Sequence, residues 1–102
     1  MWWADLGEPA GERPVLLLSR DEAYRVRAFV TVAPVTTRIR GIPVEVTLGV
    51  EEGMPRPCVV NLDSLATIAR SRLQRRLVRL GRGKMKAVED AIRFALDLGA
   101  DS

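Results

Sequence analysis

Residues 30–48, VTVAPVTTRIRGIPVEVTL, contain two segments in which apolar and polar side chains alternate, joined by a polar and basic link. Alternation with a period of two, among many β-branched residues, is typical of β-strands. The first strand is predicted to span Arg25–Val35 and the second Pro43–Leu48. In the second strand we expect Glu45 and Thr47 to face outward, and the valines and leucine between them to face the core.

Short apolar runs on both sides of this stretch predict further strands. Polar or Gly/Pro-rich segments separate these runs and are predicted to be loops, the clearest at residues 7–12 and 49–57. The predicted strands are Trp2–Leu6, Pro14–Ser19, Cys58–Asn61 and Ala66–Ala69. Leu73–Leu80 fits either helical or strand spacing, and the surrounding strands favour a strand.

One segment near the C-terminus has helical periodicity. Within Lys84–Leu98 the apolar stripe consists of Met85, Val88, Ile92, Ala95 and Leu96, and Gly99 is well placed to end the helix. Many short strands followed by a terminal helix predict a mainly β fold, a small and mostly antiparallel barrel with the helix packed on it. The 102 residues fit a single domain, residues 1–102.

The basic residues are concentrated in one part of the chain. Residues 70–86 hold eight of the sixteen lysines and arginines and no acidic residue, so the rest of the chain carries a net charge of −5 against a total of +3. A positive surface of this kind suits an acidic partner such as RNA, DNA or an acidic protein segment. A basic face that contacts only solvent is an equally good interpretation of charge alone.

The composition excludes most families of catalytic sites. The chain has no histidine and a single cysteine, Cys58, so a Ser–His–Asp triad, a Cys–His pair, an internal disulfide and a thiolate zinc site are all impossible. The acidic pairs are sequence neighbours and are interpreted as solvated surface groups, so we expect no metal and no cofactor. The apolar flanks of Cys58 predict a buried, structural thiol.

Cysteine usage and hydropathy favour a cytoplasmic protein. A lone thiol suits a reducing compartment. The longest apolar runs, Pro14–Leu18 and Ala28–Val35, are far too short to cross a bilayer, and no signal peptide is visible.

The remaining reactive groups are arginines, threonines and a loop glutamate, and these suit one reaction well. RNA carries its own nucleophile, the 2′-hydroxyl, so it can be cut without a metal ion or a covalent intermediate. The protein must align that hydroxyl, neutralise the charge that develops on phosphorus and manage two proton transfers. The planar fork of arginine can hold a phosphate through two hydrogen bonds.

Three segments together resemble one family, the MazF/PemK toxins. They are WWADLGEPAGERPVLLLS (residues 2–19), VTVAPVTTRIRGIPVEVTL (residues 30–48) and CVVNLDSLATIARSRLQRRLVRLG (residues 58–81). The resemblance covers nearly the whole chain and implies an SH3-like barrel and a homodimer. It further implies a sequence-specific endoribonuclease that cleaves single-stranded RNA, often messenger RNA, to leave 2′,3′-cyclic phosphate and 5′-hydroxyl ends. A cognate antitoxin is the implied protein partner.

The same resemblance assigns candidate site residues. Arg13 falls on the family's catalytic arginine, Thr36 on its catalytic threonine, and Glu8 where some members have a functional loop glutamate. Arg13 would stabilise the scissile phosphate and share in proton transfer, Thr36 would orient the phosphate, and Glu8 would assist as a base. The candidates for RNA binding are Thr37, Arg38, Arg40, Arg20 and Arg25.

Two alternative functions stay open at this point. A toxin of the same fold could poison DNA gyrase, although the C-terminal residues Leu98–Ser102 lack the aromatic end expected for it. A non-catalytic SH3-like module that binds RNA or an acidic peptide would explain the basic stretch equally well.

Overall fold

A computed structural model of the chain describes residues 1–18 and 28–98. Within these residues the chain forms seven β-strands, two 3-10 turns and one α-helix. The strands are β1 (Trp2–Asp5), β2 (Glu12–Leu17), β3 (Phe29–Thr36), β4 (Glu45–Leu48), β5 (Cys58–Asn61), β6 (Ala66–Ala69) and β7 (Leu73–Arg76). The 3-10 turns are Val50–Glu52 and Arg70–Arg72, and helix α1 is Arg82–Ala95.

The strands pair antiparallel in one curved sheet. The order is β4-β5-β3-β2-β1-β7. Strand β5 pairs with the end of β3, at Val35 and Thr36, and β6 pairs with its beginning, from Phe29 to Val32. Within the described residues β4 and β7 form the two ends of this path and do not pair with each other, so the barrel is open. The predicted mainly β, antiparallel, SH3-like architecture with a C-terminal helix is confirmed.

Strand β3 contributes to two apolar clusters, one on each of its faces. Val30 and Val32 lie in a small cluster with Ala4 and Val15. The side chains of Ala33 and Val35 point to the opposite face, because successive residues of a strand alternate, and they belong to a larger cluster. That cluster also contains Leu16, Val46, Leu48, Cys58, Val60, Leu62 and Val88.

Helix α1 covers the larger cluster and contacts β4. Its buried residues are Val88 and Ala91, and Lys84 Nζ donates a hydrogen bond of 2.6 Å to the Thr47 carbonyl. Met85 and Leu96, predicted to lie on the apolar stripe, are 39% and 52% exposed. Among the described residues, no helix is both long and apolar enough to traverse a bilayer.

Several boundaries differ from those expected from sequence. The strand predicted over Leu73–Leu80 stops at Arg76, and the helix predicted over Lys84–Leu98 runs from Arg82 to Ala95. Gly99, Ser19 and the Arg25–Arg27 part of the predicted strand lie outside the described residues.

Glu45 lies on the outer face of β4 with Thr47, as predicted, but its side chain is not exposed there. It is only 2% exposed, because the link between β3 and β4 folds over it.

Candidate functional site

The site is built where β2 begins and β3 ends. The β2–β3 ladder pairs Val15 with Pro34 and Leu17 with Val32, and continuing this register by two positions sets Arg13 opposite Thr36. The β2–β3 ladder ends at Val15 and Pro34, so at the next level Arg13 is paired only on its β1 side, with Ala4, and Thr36 only on its β5 side, with Val59. The two strands therefore part, with Arg13 and Thr36 at matching positions on either side of the opening.

The loop before β2 fixes the guanidinium of Arg13. Both Nε and Nη2 donate to the Ala10 carbonyl, at 3.2 and 3.0 Å. Gly7 and Gly11, with φ of 72° and 70°, supply the left-handed backbone that the loop needs. A guanidinium has five N–H donors, so three remain for a ligand. The fork is thus held in place by the protein while part of it stays available.

The hydroxyl of Thr36 is also oriented. Its Oγ1 accepts a 3.1 Å hydrogen bond from the Arg38 backbone N–H, a local turn that threonine commonly forms. The hydroxyl proton is not used by this bond and can be donated to an anion. Thr36 is half-buried, so its side chain reaches the surface at the end of the strand.

Glu8 lies in the same loop that holds Arg13. It is exposed, and its peptide bond to Pro9 is cis. The Gly7 N–H donates to Asp5 Oδ1 at 2.9 Å, and the Gly11 N–H donates to the Gly7 carbonyl at 2.7 Å. The structure therefore brings Glu8 and Arg13 into one hydrogen-bonded loop, as their closeness in sequence suggested.

The predicted RNA-binding residues divide into two groups. Thr37, Arg38 and Arg40 are all exposed on the link between β3 and β4, next to Thr36. Arg20 and Arg25 lie outside the described residues.

Arg72 was not among the site residues predicted from the sequence. Its Nη1 donates a 3.2 Å hydrogen bond to the Asp5 carbonyl, although the two residues are 67 positions apart. A Cβ built on Gly7 would lie 3.6 Å from the same Nη1. Arg72 therefore adds positive charge at the loop of Glu8 and Arg13. The basic run 70–86 signalled such a residue, but the sequence alone does not say which arginine turns toward the loop.

These groups offer a defined chemistry. A half-fixed guanidinium and a hydroxyl flank one opening, a carboxylate lies on the adjoining loop, and further arginines surround it. Donors that are already oriented stabilise negative charge as it develops, because no reorganisation is needed during the reaction. The set suits a phosphodiester, for which the guanidinium is a bidentate ligand.

Comparisons with known proteins show the family to which the chain belongs. The family described as "PemK-like, MazF-like toxin of type II toxin-antitoxin system" matches residues 1–96. Probable endoribonuclease MazF5 of Mycobacterium tuberculosis is 42% identical over 100 residues, covering 95% of this chain and 89% of that protein. Endoribonuclease MazF3 of the same organism is 38% identical over 86 residues, covering 84% of each protein.

Solved structures give the same result. M. tuberculosis toxin MazF-mt6 is 36% identical and superposes with a TM-score of 0.89, and the match covers 96% of each chain. An endoribonuclease solved in complex with its cognate antitoxin, from a mycobacterial species, has a TM-score of 0.84 and 28% identity, over 96% of this chain and 91% of that one.

Proposed function

The chain belongs to the PemK-like, MazF-like toxins of type II toxin–antitoxin systems, and on that premise we propose how it acts. It is an endoribonuclease toxin that cleaves single-stranded RNA at short sequences, with Arg13 and Thr36 as its catalytic residues and without a metal ion. The observation that supports this assignment is the β2–β3 register, whose continuation by two positions beyond Val15 and Pro34 would set Arg13 opposite Thr36. Messenger RNA in the cytoplasm is the proposed target.

The proposed reaction uses the nucleophile of the substrate. The 2′-oxygen attacks the adjacent phosphorus, the bond from phosphorus to the 5′-oxygen breaks, and the products carry a 2′,3′-cyclic phosphate and a 5′-hydroxyl. Arg13 binds the non-bridging oxygens through its remaining N–H donors, and the Thr36 hydroxyl donates a hydrogen bond to the same phosphate. Both interactions strengthen as negative charge develops in the transition state.

Two protons must move in this scheme. We assign Glu8 as the base that accepts the 2′-hydroxyl proton, since a carboxylate is suited to that role and Glu8 lies on the Arg13 loop. The departing 5′-oxygen takes a proton from water, and the hydroxide that is left takes the proton from Glu8, which restores the carboxylate. A guanidinium gives up a proton only with difficulty, so the role of Arg13 in the scheme is to stabilise charge.

Protein partners follow from the same premise. Because a mycobacterial relative has been solved with its cognate antitoxin, we propose that this chain also binds an antitoxin, whose acidic segment competes with RNA for the arginines. We also propose a homodimer. Phe29 and Phe94 are 60% and 62% exposed, and a chain of this size gains stability by covering such surface with a second copy.

The test is cleavage of a mixed-sequence RNA by purified protein in excess EDTA, followed by sequencing of the RNA ends. We expect cutting at a short common sequence, with cyclic phosphate on one end and a free hydroxyl on the other. An RNA with a 2′-deoxy group at the cut position should stay intact. Activity that EDTA abolishes would contradict the metal-free mechanism, and RNA that binds without being shortened would identify a non-catalytic binding module.

A further inference from the structure

Glu45, the first residue of β4, is an acidic side chain buried beside the arginines of the site. Its side chain is 2% exposed, and it pairs across the ladder with Asn61, which is also buried. Taking a carboxylate out of water is costly unless other groups compensate it. The proposed reaction does not use this residue, so its burial calls for another role.

Within the described residues, the hydrogen bonds and the ion pair of the Glu45 side chain are with the link that carries Arg38 and Arg40. Its Oε1 accepts hydrogen bonds from the backbone N–H groups of Arg40 and Gly41, at 3.0 and 2.9 Å. Gly41 has a φ of 70°, which turns the link back over the carboxylate. Glu45 therefore holds this link against the sheet through two hydrogen bonds to its backbone.

The second oxygen of Glu45 acts on the side chain of Arg40. Oε2 is buried, has no hydrogen-bond partner and lies 3.7 Å from Arg40 Nε. The Arg40 side chain is nevertheless 55% exposed. The Nε end of the guanidinium thus lies beside the buried carboxylate, while more than half of the side-chain surface stays open to solvent, where a phosphate would approach.

We propose that Glu45 is a positioning residue, which holds Arg40 in the orientation that binds an RNA phosphate next to the cleaved one. This inference rests on the proposed function, because it requires RNA at this surface. It concerns RNA affinity alone, since Glu45 touches no group assigned to the chemical step.

The test exploits the sign of the effect. Removing a negative charge from a surface that binds a polyanion normally strengthens binding. Glu45→Gln keeps an oxygen for the two backbone donors but turns an NH₂ group toward Arg40 Nε, so we expect it to weaken binding instead. The matched control is Glu51→Gln, an exposed acid on the Val50–Glu52 turn, which should bind as tightly as the wild type or more tightly.

The measurement uses a mixed-sequence RNA with 2′-fluoro substitutions, which lacks the attacking hydroxyl. We expect Glu45→Gln to raise the Kd about three- to tenfold and to flatten the plot of log K against log salt by about 0.7, the value for one lost phosphate contact. In an Arg40→Ala background the same substitution should change the Kd less than about twofold, because its effect acts through Arg40. With cleavable RNA, KM should rise and kcat stay nearly constant.

A second variant tests the proposal without altering the buried site. Arg40→Lys keeps the charge but loses the Nε donor and the fork, so it should weaken binding about as much as Glu45→Gln. Wild-type protein that neither binds nor cuts RNA would overturn the proposed function together with this inference. Wild-type cleavage combined with unchanged or tighter binding by Glu45→Gln and Arg40→Lys would overturn this inference alone.

Discussion

At Arg13, two of the five N–H donors are bound to the Ala10 carbonyl and three remain for a ligand. Replacing this residue with alanine removes a fixed source of charge stabilisation, so we expect kcat to fall by about 10²- to 10³-fold. Arg13→Lys should restore little of this loss, since an ammonium cannot bind Ala10 and a phosphate with the same planar geometry.

Single-turnover cleavage of a defined RNA measures this effect. The control is Arg93→Ala on α1, an exposed arginine whose ion pair is with Glu89 in the same helix. Full activity in Arg13→Ala would remove Arg13 from the catalytic site.

Cys58 illustrates how burial changes a reactive group. Burial raises the pKa of its thiol above the ordinary 9.0, and the nearby Glu52 carboxylate raises it further. The thiol therefore stays protonated at neutral pH, and we expect iodoacetamide to label it slowly in the native protein and readily in urea. Fast labelling of the native protein at pH 8 would contradict this prediction.

The same shift has a consequence for stability. Above the ordinary pKa the unfolded thiol releases its proton before the folded one, so this group stabilises the fold less as pH rises through the alkaline range. The difference in free energy of unfolding between the wild type and Cys58→Ala should shrink from pH 8 to pH 10.

Among the elements, a glycine in a turn and a glycine in the helix are expected to respond oppositely to substitution by alanine. Gly11 has a φ of 70° and Gly83 lies in α1, and a Cβ at either position would meet nothing within 4 Å. Gly11→Ala should lose about 1–2 kcal/mol because the left-handed backbone strains a side chain, whereas Gly83→Ala should gain about 0.5–1 kcal/mol. Urea unfolding measures both changes, and equal signs for the two would contradict the backbone argument.

The elements were largely predictable from the sequence because local alternation determines them. Val30–Val35 is rich in β-branched residues and Cys58–Asn61 is a short apolar run around two adjacent valines, and the structure has strands at both. The burial of the Glu45 side chain was not predictable. Alternation shows which face of a strand a residue is on, but not that a link folds back and covers that face. The early end of β7 has no local signal either, because the apolar residues continue through Leu80.

For the molecule as a whole, the arrangement of charge was the least predictable feature. The sequence indicates a basic run, but only the fold shows that Arg72 reaches the Asp5 carbonyl. Arg13 and Thr36 were found through family motifs. Their matching positions follow from continuing the register of β2 with β3 by two residues, and residue periodicity alone does not specify that register.

The position of Arg72 beside the Arg13 loop should matter for RNA binding. We expect Arg72→Ala to raise the Kd for RNA about three- to tenfold, because one positive charge beside the Arg13 loop is lost. Arg79→Ala, a matched control from the same basic run, should leave the Kd nearly unchanged. Titration of labelled RNA at constant salt measures both, and equal effects would mean that the run acts only through its total charge.

The double role of β3 bears on how the cell removes this protein. Since Val30 and Val32 support one cluster while Ala33 and Val35 support the other, a protease that gains access to β3 disrupts both together. A fragment that has lost β3 therefore keeps neither apolar cluster complete, so no stable, partly degraded form is expected. Degradation should therefore be all-or-none, leaving no long-lived partial product that could still poison its host.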